Sequence, residues 1–285
     1  MQLGEILDGS FNIYRRHFGL FMRLSIALVW LPTAAGIYMQ VRFSNSPFEI
    51  LNILEQHTGT SVLLGLVLIV VWTTAGLLLK AGTIRIISDS YLGQEPQLGS
   101  ALRFGVSKIL PLLLVTLSKN LLLILLPGVG ALVVFLLVMV GKVVGVGGLI
   151  GFLGFVGLGW FVVWVACGYG TTTPIVVLED LPSSFDAFGR SWELTRDARR
   201  KVFGTAVVAW LISQFLPQMV VGGISGALGA AGNVSLQPLF VVVASLMGIV
   251  LAPILPCAIT LLYYDLRVRR EAFDLQILSD QMGTR

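Results

Sequence analysis

Charged side chains are scarce in this sequence. Asp, Glu, Lys and Arg make up 12% of its 285 residues, about half of the ~25% that is usual in soluble domains. Hydrophobic residues make up 56%, and the mean hydropathy is +0.89. This composition excludes an ordinary soluble enzyme, a disordered chain and a nucleic-acid-binding domain. It predicts an integral membrane protein.

Cysteine and histidine are also rare, which limits the chemistry that the chain can perform. Cys167 and Cys257 both lie in apolar runs, so neither a disulfide framework nor a metal-binding motif is available. The histidines, His17 and His57, are predicted to lie on opposite sides of the membrane, so no serine has a histidine base within reach. We therefore expect no enzymatic activity, no catalytic or metal-binding residue and no cofactor.

Six apolar stretches are long enough to cross a bilayer, because a spanning helix needs about 20 residues. They predict an all-α, polytopic bundle of six transmembrane helices. The third stretch is too long for one straight span, so we expect a span from Asn120 to Val140, with Lys119 at the interface and residues 109–118 in the headgroup region. The stretches cover residues 19–41, 60–79, part of 109–140, 148–178, 202–224 and 238–262.

The distribution of basic residues predicts the orientation. With six spans assigned, seventeen of the 19 Lys and Arg residues fall on the side of the N-terminus, and Arg42 and Lys142 fall on the other side. By the positive-inside rule, we expect both termini to be cytoplasmic. In the outer loops, residues 46–54 predict a short amphipathic helix on the membrane surface, and residues 222–237 predict a flexible turn region.

An internal repeat is visible in three segments that combine an amphipathic helix with a following apolar span. They begin LGEILDGSF at Leu3, LGSALRFGV at Leu98 and SFDAFGRSW at Ser184. We predict one domain over residues 1–285, made of three parallel two-span repeats with interfacial amphipathic helices on the cytoplasmic side. The alternative is that helices preceding spans resemble one another by chance. The repeats cover about residues 3–92, 93–180 and 181–264, followed by a cytoplasmic tail, 265–285.

Each odd-numbered span contains a Leu-Pro step, at Pro32, Pro127 and Pro217. A proline inside a helix removes one backbone hydrogen bond, so we expect a kink at each position. Kinks at matching positions could line a substrate cavity, or they could only curve the helices. Glycines recur from Gly141 to Gly157 at a spacing that favours close helix packing, within the chain or against a second subunit.

The predicted cytoplasmic ends carry acidic residues beside basic ones. We expect Arg85 to lie beside Asp89, Asp265 beside Arg267, and Arg190 on one helix face with Glu193. These groups could hold a polar headgroup, or they could be ion pairs that fix helix ends, which is the interpretation we favour. The complete set is Arg85, Asp89, Glu179, Arg190, Glu193, Asp265 and Arg267.

Two basic clusters follow predicted spans directly on the cytoplasmic side. Residues in such positions are attracted to anionic phospholipid headgroups, although they would look the same if they only determined topology. The candidate headgroup contacts are Arg199, Arg200, Lys201, Arg269 and Arg270.

Four segments resemble a known family. They are LGEILDGSFNIYRRHFGLF from Leu3, GTIRIISDSYLGQEPQLGSALRFG from Gly82, TTPIVVLEDLPSSFDAFGRSWELTR from Thr172 and LLYYDLRVRREAFDLQIL from Leu261. Together they look like the bacterial glycerophosphoryl diester phosphodiesterase membrane-domain family. The resemblance implies a six-span module of the bacterial plasma membrane that anchors or accompanies an enzyme. The catalytic phosphodiesterase domain is absent from this sequence, so the name does not carry an activity over to it.

The residues and the resemblance together lead to one functional expectation. We expect a non-catalytic membrane module that organises lipid or partner proteins at the cytoplasmic face. Its partners would be the bilayer, with anionic phospholipids, and another membrane protein, and no nucleic acid. The alternative is a permease or channel for a small or lipidic solute.

Overall fold

The computed structural model describes residues 3–43, 58–143, 146–230 and 237–271, and within these ranges it contains helices and no strand. This confirms the all-α class. The helix expected at 46–54 lies outside the described residues, as do residues 231–236 of the predicted turn region and residues 272–285 of the predicted tail. The helices are α1 Leu3–Arg16, α2 Phe18–Phe43, α3 Thr58–Tyr91, α4 Leu98–Ser107, α5 Ile109–Val143, α6 Gly147–Gly168, α7 Thr172–Leu178, α8 Asp186–Thr195, α9 Arg199–Trp210, α10 Leu216–Ala230, α11 Gln237–Leu251 and α12 Ile254–Glu271.

Six segments of the described chain are long and apolar enough to cross a membrane. Their number agrees with the number of spans predicted from the sequence, and the chain is therefore a multi-pass membrane protein. The segments are Phe18–Tyr38, Val62–Tyr91, Ile109–Gly141, Gly147–Leu178, Arg199–Ile224 and Leu239–Glu271.

One predicted boundary is wrong and another stays a prediction. Helix α5 runs without a break through Lys119 and has 35 residues, about 52 Å at 1.5 Å per residue, so residues 109–118 continue the helix of the predicted span, and their place in the headgroup region stays a prediction. Lysine is a good helix former, and one charged side chain does not interrupt the backbone hydrogen bonds. Helix α10 continues to Ala230, so residues 222–230 are helical despite their glycines. In an apolar environment a helix is the conformation that satisfies its own backbone.

Three spans depart from regular α-helix. The fourth is interrupted by a turn at 169–171, and the sixth by a turn at 252–253, where Pro253 has no N–H to continue the helix. The fifth contains a π-helical turn, Leu211–Phe215, which ends two residues before Pro217. Pro32 and Pro127, by contrast, lie inside the continuous helices α2 and α5.

The chain divides into two compact units. The first comprises Met1–Ile109 and Gly204–Leu261, and the second comprises Leu110–Phe203 and Leu262–Arg285. The largest fully buried side chains of the first include Phe21, Leu24 and Ile84, and those of the second include Ile175 and Tyr263. In both units these side chains come from the short helices and the ends of the long helices that adjoin them.

Much of the remaining apolar surface is uncovered by protein. In α6 the side chains of Phe152, Phe155 and Trp160 are 67%, 75% and 74% exposed. A monomer in water rarely exposes patches of this kind, whereas lipid chains solvate them. On the side of α6 that packs against α5, a Cβ at Gly154 would lie 2.9 Å from the Val134 side chain. The glycine stripe therefore includes contacts within the chain, although Gly157 faces open space.

Short helices occupy the three predicted repeat starts. Each of α1, α4 and α8 is followed, after a turn of one to three residues, by the helix that begins a membrane-spanning segment, α2, α5 or α9. Ile6, Ala101 and Ala187, which the repeat alignment treats as equivalent, are all fully buried. The parallel threefold arrangement itself stays a prediction.

Candidate functional site

Glu179 is the centre of a charged cluster in the second unit. It directly follows α7, in extended backbone, and its N–H donates to the Ile175 carbonyl over 2.9 Å. The Tyr263 hydroxyl donates to Glu179 Oε1 over 2.7 Å, and Arg190 Nε donates to Oε2 over 3.1 Å. Arg267 Nε lies 3.9 Å from Oε1. One carboxylate thus joins the end of α7 to both α8 and α12.

Glu271 closes these contacts into a ring. It forms an ion pair with Arg190, and its Oε2 accepts a 3.1 Å bond from Arg267 Nε. Arg267 Nη1 also donates to the Tyr263 hydroxyl over 3.1 Å. We call Glu179, Arg190, Tyr263, Arg267 and Glu271 the charged ring. Its formal charges cancel, since it contains two carboxylates and two guanidinium groups.

Helical spacing explains how the ring is assembled. Tyr263, Arg267 and Glu271 are four residues apart on α12, so they lie on one face of that helix. The side chain of Glu179 is 12% exposed and that of Arg190 is 29% exposed, so the ring is partly shielded from water. Burial disfavours the charge on Arg190, but the Glu179 and Glu271 carboxylates outweigh this effect and raise its pKa above the usual value. The guanidinium therefore stays charged.

Asp265 has different partners from those predicted. The sequence placed it beside Arg267, but its carboxylate forms an ion pair with Lys201 of α9 and accepts a 3.2 Å bond from Arg269 Nε. Residues two apart are on nearly opposite sides of a helix, whereas residues four apart share a face. Arg190 likewise contacts Glu179 and Glu271, whereas Glu193, expected on the same face, is exposed and is not among the described contacts of the ring.

The predicted Arg85–Asp89 pair is present in the first unit. Arg85 Nε lies 3.0 Å from Asp89 Oδ1, with the two residues one helical turn apart on α3. The Arg85 guanidinium also stacks over the Phe104 ring, 5.0 Å from its centroid, and so joins α3 to α4. This pair belongs to a different unit from the charged ring.

The predicted headgroup contacts are largely occupied by protein groups. The Arg199 guanidinium lies 3.6 Å from the centroid of the Trp164 ring and 4.1 Å from that of Trp192, and it donates to the Trp164 carbonyl over 2.9 Å. Lys201 and Arg269 bind Asp265, and Arg270 forms an ion pair with Asp197. Arg200 remains exposed and has no described partner. The set of five is therefore not a continuous basic surface.

Hydroxyl groups satisfy the backbone where the fourth span is interrupted. The Gly168 carbonyl accepts from Ser191 Oγ over 2.8 Å and from Thr195 Oγ1 over 3.1 Å, and Ser191 Oγ lies 2.9 Å from Thr171 Oγ1. Gly168 has to be glycine here, because a Cβ would lie 2.4 Å from the Trp192 ring. Helix α8 is thereby fixed against the end of α6.

In the first unit, a side-chain hydroxyl likewise satisfies the backbone where the sixth span is interrupted. The Tyr14 hydroxyl of α1 donates to the Val250 carbonyl over 2.6 Å, just before the turn at 252–253. Burial, and to a smaller extent Cys257, raise the pKa of Tyr14 to about 12, so the hydroxyl keeps its proton. Both interrupted spans therefore receive side-chain hydrogen bonds from a short helix.

Sequence reasoning missed several of these residues, although some left a signal. Glu271 and Tyr263 lie four residues on either side of Arg267, so helical spacing alone could have indicated them. The hydroxyl bonds to Gly168 left no comparable signal, because they join residues 23 and 27 positions apart across a turn. Within the described residues no group of three or more His, Cys, Asp or Glu side chains is arranged to hold a metal ion.

The arrangement is suited to joining helices. Each carboxylate of the ring contacts both guanidinium groups, so the ring ties α8 and the end of α7 to α12. No protein-family model, curated protein or solved structure matches the chain.

Proposed function

We propose that this protein is a non-catalytic membrane module of the bacterial plasma membrane that organises lipid or partner proteins at its cytoplasmic face. The observation that carries the proposal is the charged ring. Its acidic and basic groups neutralise one another at helix ends and hold three elements together. An ion-coupled permease would instead use titratable groups within the membrane to bind its solute or ion.

The proposal includes the family suggested by the sequence. The resemblance to the glycerophosphoryl diester phosphodiesterase membrane domain supports a six-span module without a catalytic domain. The common burial of Ile6, Ala101 and Ala187 supports three parallel repeats. The excess of basic residues on one side supports an orientation with both termini in the cytoplasm.

Cysteine labelling of intact cells tests the orientation. Gly59→Cys should react with an impermeant maleimide added outside, and Glu193→Cys should react only after the membrane is made permeable. Both positions are exposed, whereas nearby Thr195 is fully buried and would not be a useful label site. The native residues Cys167 and Cys257 are buried and should give little background. Labelling of both positions from the same side would contradict the orientation.

A permease or channel is the second candidate, and the interrupted fourth and sixth spans favour it. Interrupted helices often form binding sites in transporters, because backbone groups at the break are free to bind a solute. In this chain the Gly168 and Val250 carbonyls already accept hydroxyl bonds, which favours the module.

Reconstitution into liposomes separates the two candidates. The module predicts the same stopped-flow shrinkage in glycerol or urea, and the same leakage of an ion-sensitive dye, as protein-free liposomes show. Flux above that background would overturn the module. Purification in native lipid, followed by mass spectrometry, should reveal an enriched lipid class or a retained protein. Enrichment of neither would also count against the module.

A further inference from the structure

We propose that three exposed arginines, Arg15, Arg103 and Arg200, bind the anionic headgroups of phospholipids in the cytoplasmic leaflet. This inference rests on the proposed function and deepens it, because it names the lipid class and the residues. We call these residues the three exposed arginines; Arg16, Arg23 and Arg196 are exposed as well, but the name does not include them. Only Arg200 belongs to the basic clusters that the sequence suggested.

Contacts with protein groups divide the basic residues of the described chain into two groups. One group is held by protein partners: Arg85, Arg190, Arg199, Lys201, Arg267, Arg269 and Arg270. The three exposed arginines belong to the other group, since each is exposed and has no described hydrogen bond or ion pair. A guanidinium group that no protein carboxylate neutralises can bind a phosphate with its full charge.

Each of the three exposed arginines shares a helix face with an exposed apolar side chain. Phe11 is four residues before Arg15 on α1, Val106 is three residues after Arg103 on α4, and Phe203 is three residues after Arg200 on α9. Residues at this spacing are neighbours on the helix surface. The three apolar side chains, Phe11, Val106 and Phe203, are 39%, 58% and 45% exposed.

A cation beside an apolar side chain fits the boundary between headgroups and acyl chains. The apolar side chain enters the acyl region, and the arginine reaches the phosphate layer. The opposite faces of α1 and α4 are covered by protein, since Ile6 and Ala101 are fully buried. The exposed faces are therefore the ones left for lipid.

Along the chain, each of the three exposed arginines lies near the start of an odd-numbered span. Arg15 comes shortly before the first span begins at Phe18, Arg103 comes shortly before the third begins at Ile109, and Arg200 lies in the first turn of the fifth. All three therefore occupy the same end of an odd-numbered span, which is the cytoplasmic end in the proposed orientation. Their positive charge, which no carboxylate of the described residues is seen to compensate, selects an anionic lipid over a zwitterionic one.

Thermal unfolding of the purified full chain in an uncharged detergent tests this inference. Phosphatidylglycerol should raise the unfolding midpoint, and phosphatidylcholine should raise it much less. An arginine near an anionic surface contributes roughly a fivefold gain in affinity, so the triple variant R15Q/R103Q/R200Q should lose about 100-fold. Its midpoint without lipid should stay close to that of the wild type, because these side chains have no described protein partner.

A matched pair of single variants separates specific binding from general charge. Arg200→Gln and Arg270→Gln each remove one positive charge, but Arg270 is already paired with Asp197. Arg200→Gln should weaken the phosphatidylglycerol effect more than Arg270→Gln does. Equal effects of the two variants, or equal stabilisation by both lipids, would overturn the inference.

The outcomes also separate this inference from the proposed function. If phosphatidylglycerol gives no preferential stabilisation while the liposomes show no flux and a partner protein or another lipid class is retained, the inference fails and the module stands. If the liposomes show flux, the module itself fails, whatever the lipid titration shows.

Discussion

Replacement of Glu179 by glutamine tests whether the charged ring stabilises the second unit. Glutamine preserves the shape of the side chain but removes the negative charge that Arg190 and Arg267 share. Its carbonyl oxygen can still accept one bond, so the contact with Tyr263 can persist as a neutral hydrogen bond. The charge-assisted contact with Arg190 is lost, and only Glu271 remains to balance two guanidinium groups.

The structure sets the expected size of the effect. A hydrogen bond to a charged group contributes about 1.5–3 kcal/mol, and breaking a fully buried pair costs about 3–5 kcal/mol. Water can reach this ring in part, because the Arg190 side chain is 29% exposed. We therefore expect Glu179→Gln to lower the free energy of unfolding by about 2 kcal/mol, measured by denaturant titration in detergent micelles.

Glu193→Gln is the matched control, because it makes the same chemical change at an exposed position on α8. It should change the free energy of unfolding by less than about 0.5 kcal/mol. A double-mutant cycle of Glu179→Gln with Arg190→Gln should show a coupling energy of about 1–2 kcal/mol. If Glu179→Gln has no larger effect than the control, or if the double variant is additive, the ring does not stabilise this unit.

Three further changes have expected outcomes that thermal unfolding in detergent can check. Gly168→Ala forces a Cβ against the Trp192 ring and should lower the free energy of unfolding by about 1–3 kcal/mol. Gly157→Ala, where a Cβ would lie in open space, should have little effect. Similar unfolding midpoints for the two variants would contradict the packing at Gly168. Tyr14→Phe removes the hydroxyl that donates to the Val250 carbonyl and should lower the free energy of unfolding by about 1–3 kcal/mol. Tyr38→Phe, at an exposed position, should have almost no effect. An equal loss in the two variants would refute the role of the Tyr14 hydroxyl. Burial, and then the charge of a neighbouring arginine, lower the pKa of His17. The folded state therefore binds protons less readily, and stability should fall as pH drops below about 6.5. His17→Gln should reduce this fall, and an unchanged pH dependence would count against the effect.

The prediction of the spans succeeded because a spanning helix is a local property of the sequence. About 20 consecutive apolar residues need a helix to satisfy their backbone in lipid, whatever surrounds them. The error occurred where a local rule was applied too strictly. The glycines after Gly222 were interpreted as a turn, although α10 continues to Ala230.

The candidate site was only partly predictable. Glu179, Arg190 and Arg267 were recognised as charged groups near helix ends, but their partners were not identified. The Tyr263–Glu179 bond spans 84 residues of sequence, and the Lys201–Asp265 pair spans 64. Such contacts depend on how each helix is rotated and on which helices are neighbours.

The sequence by itself determined that this is an all-helical, multi-pass membrane protein with six spans, because the length and polarity of each stretch are sufficient for that conclusion. Only the tertiary structure decided which basic residues are neutralised and which remain exposed. Arg199 and Arg200 are adjacent in the chain, yet one lies against two tryptophan rings and the other is exposed. Both residues are arginines, so their type does not distinguish them. Their surroundings differ because the helix points adjacent side chains in different directions.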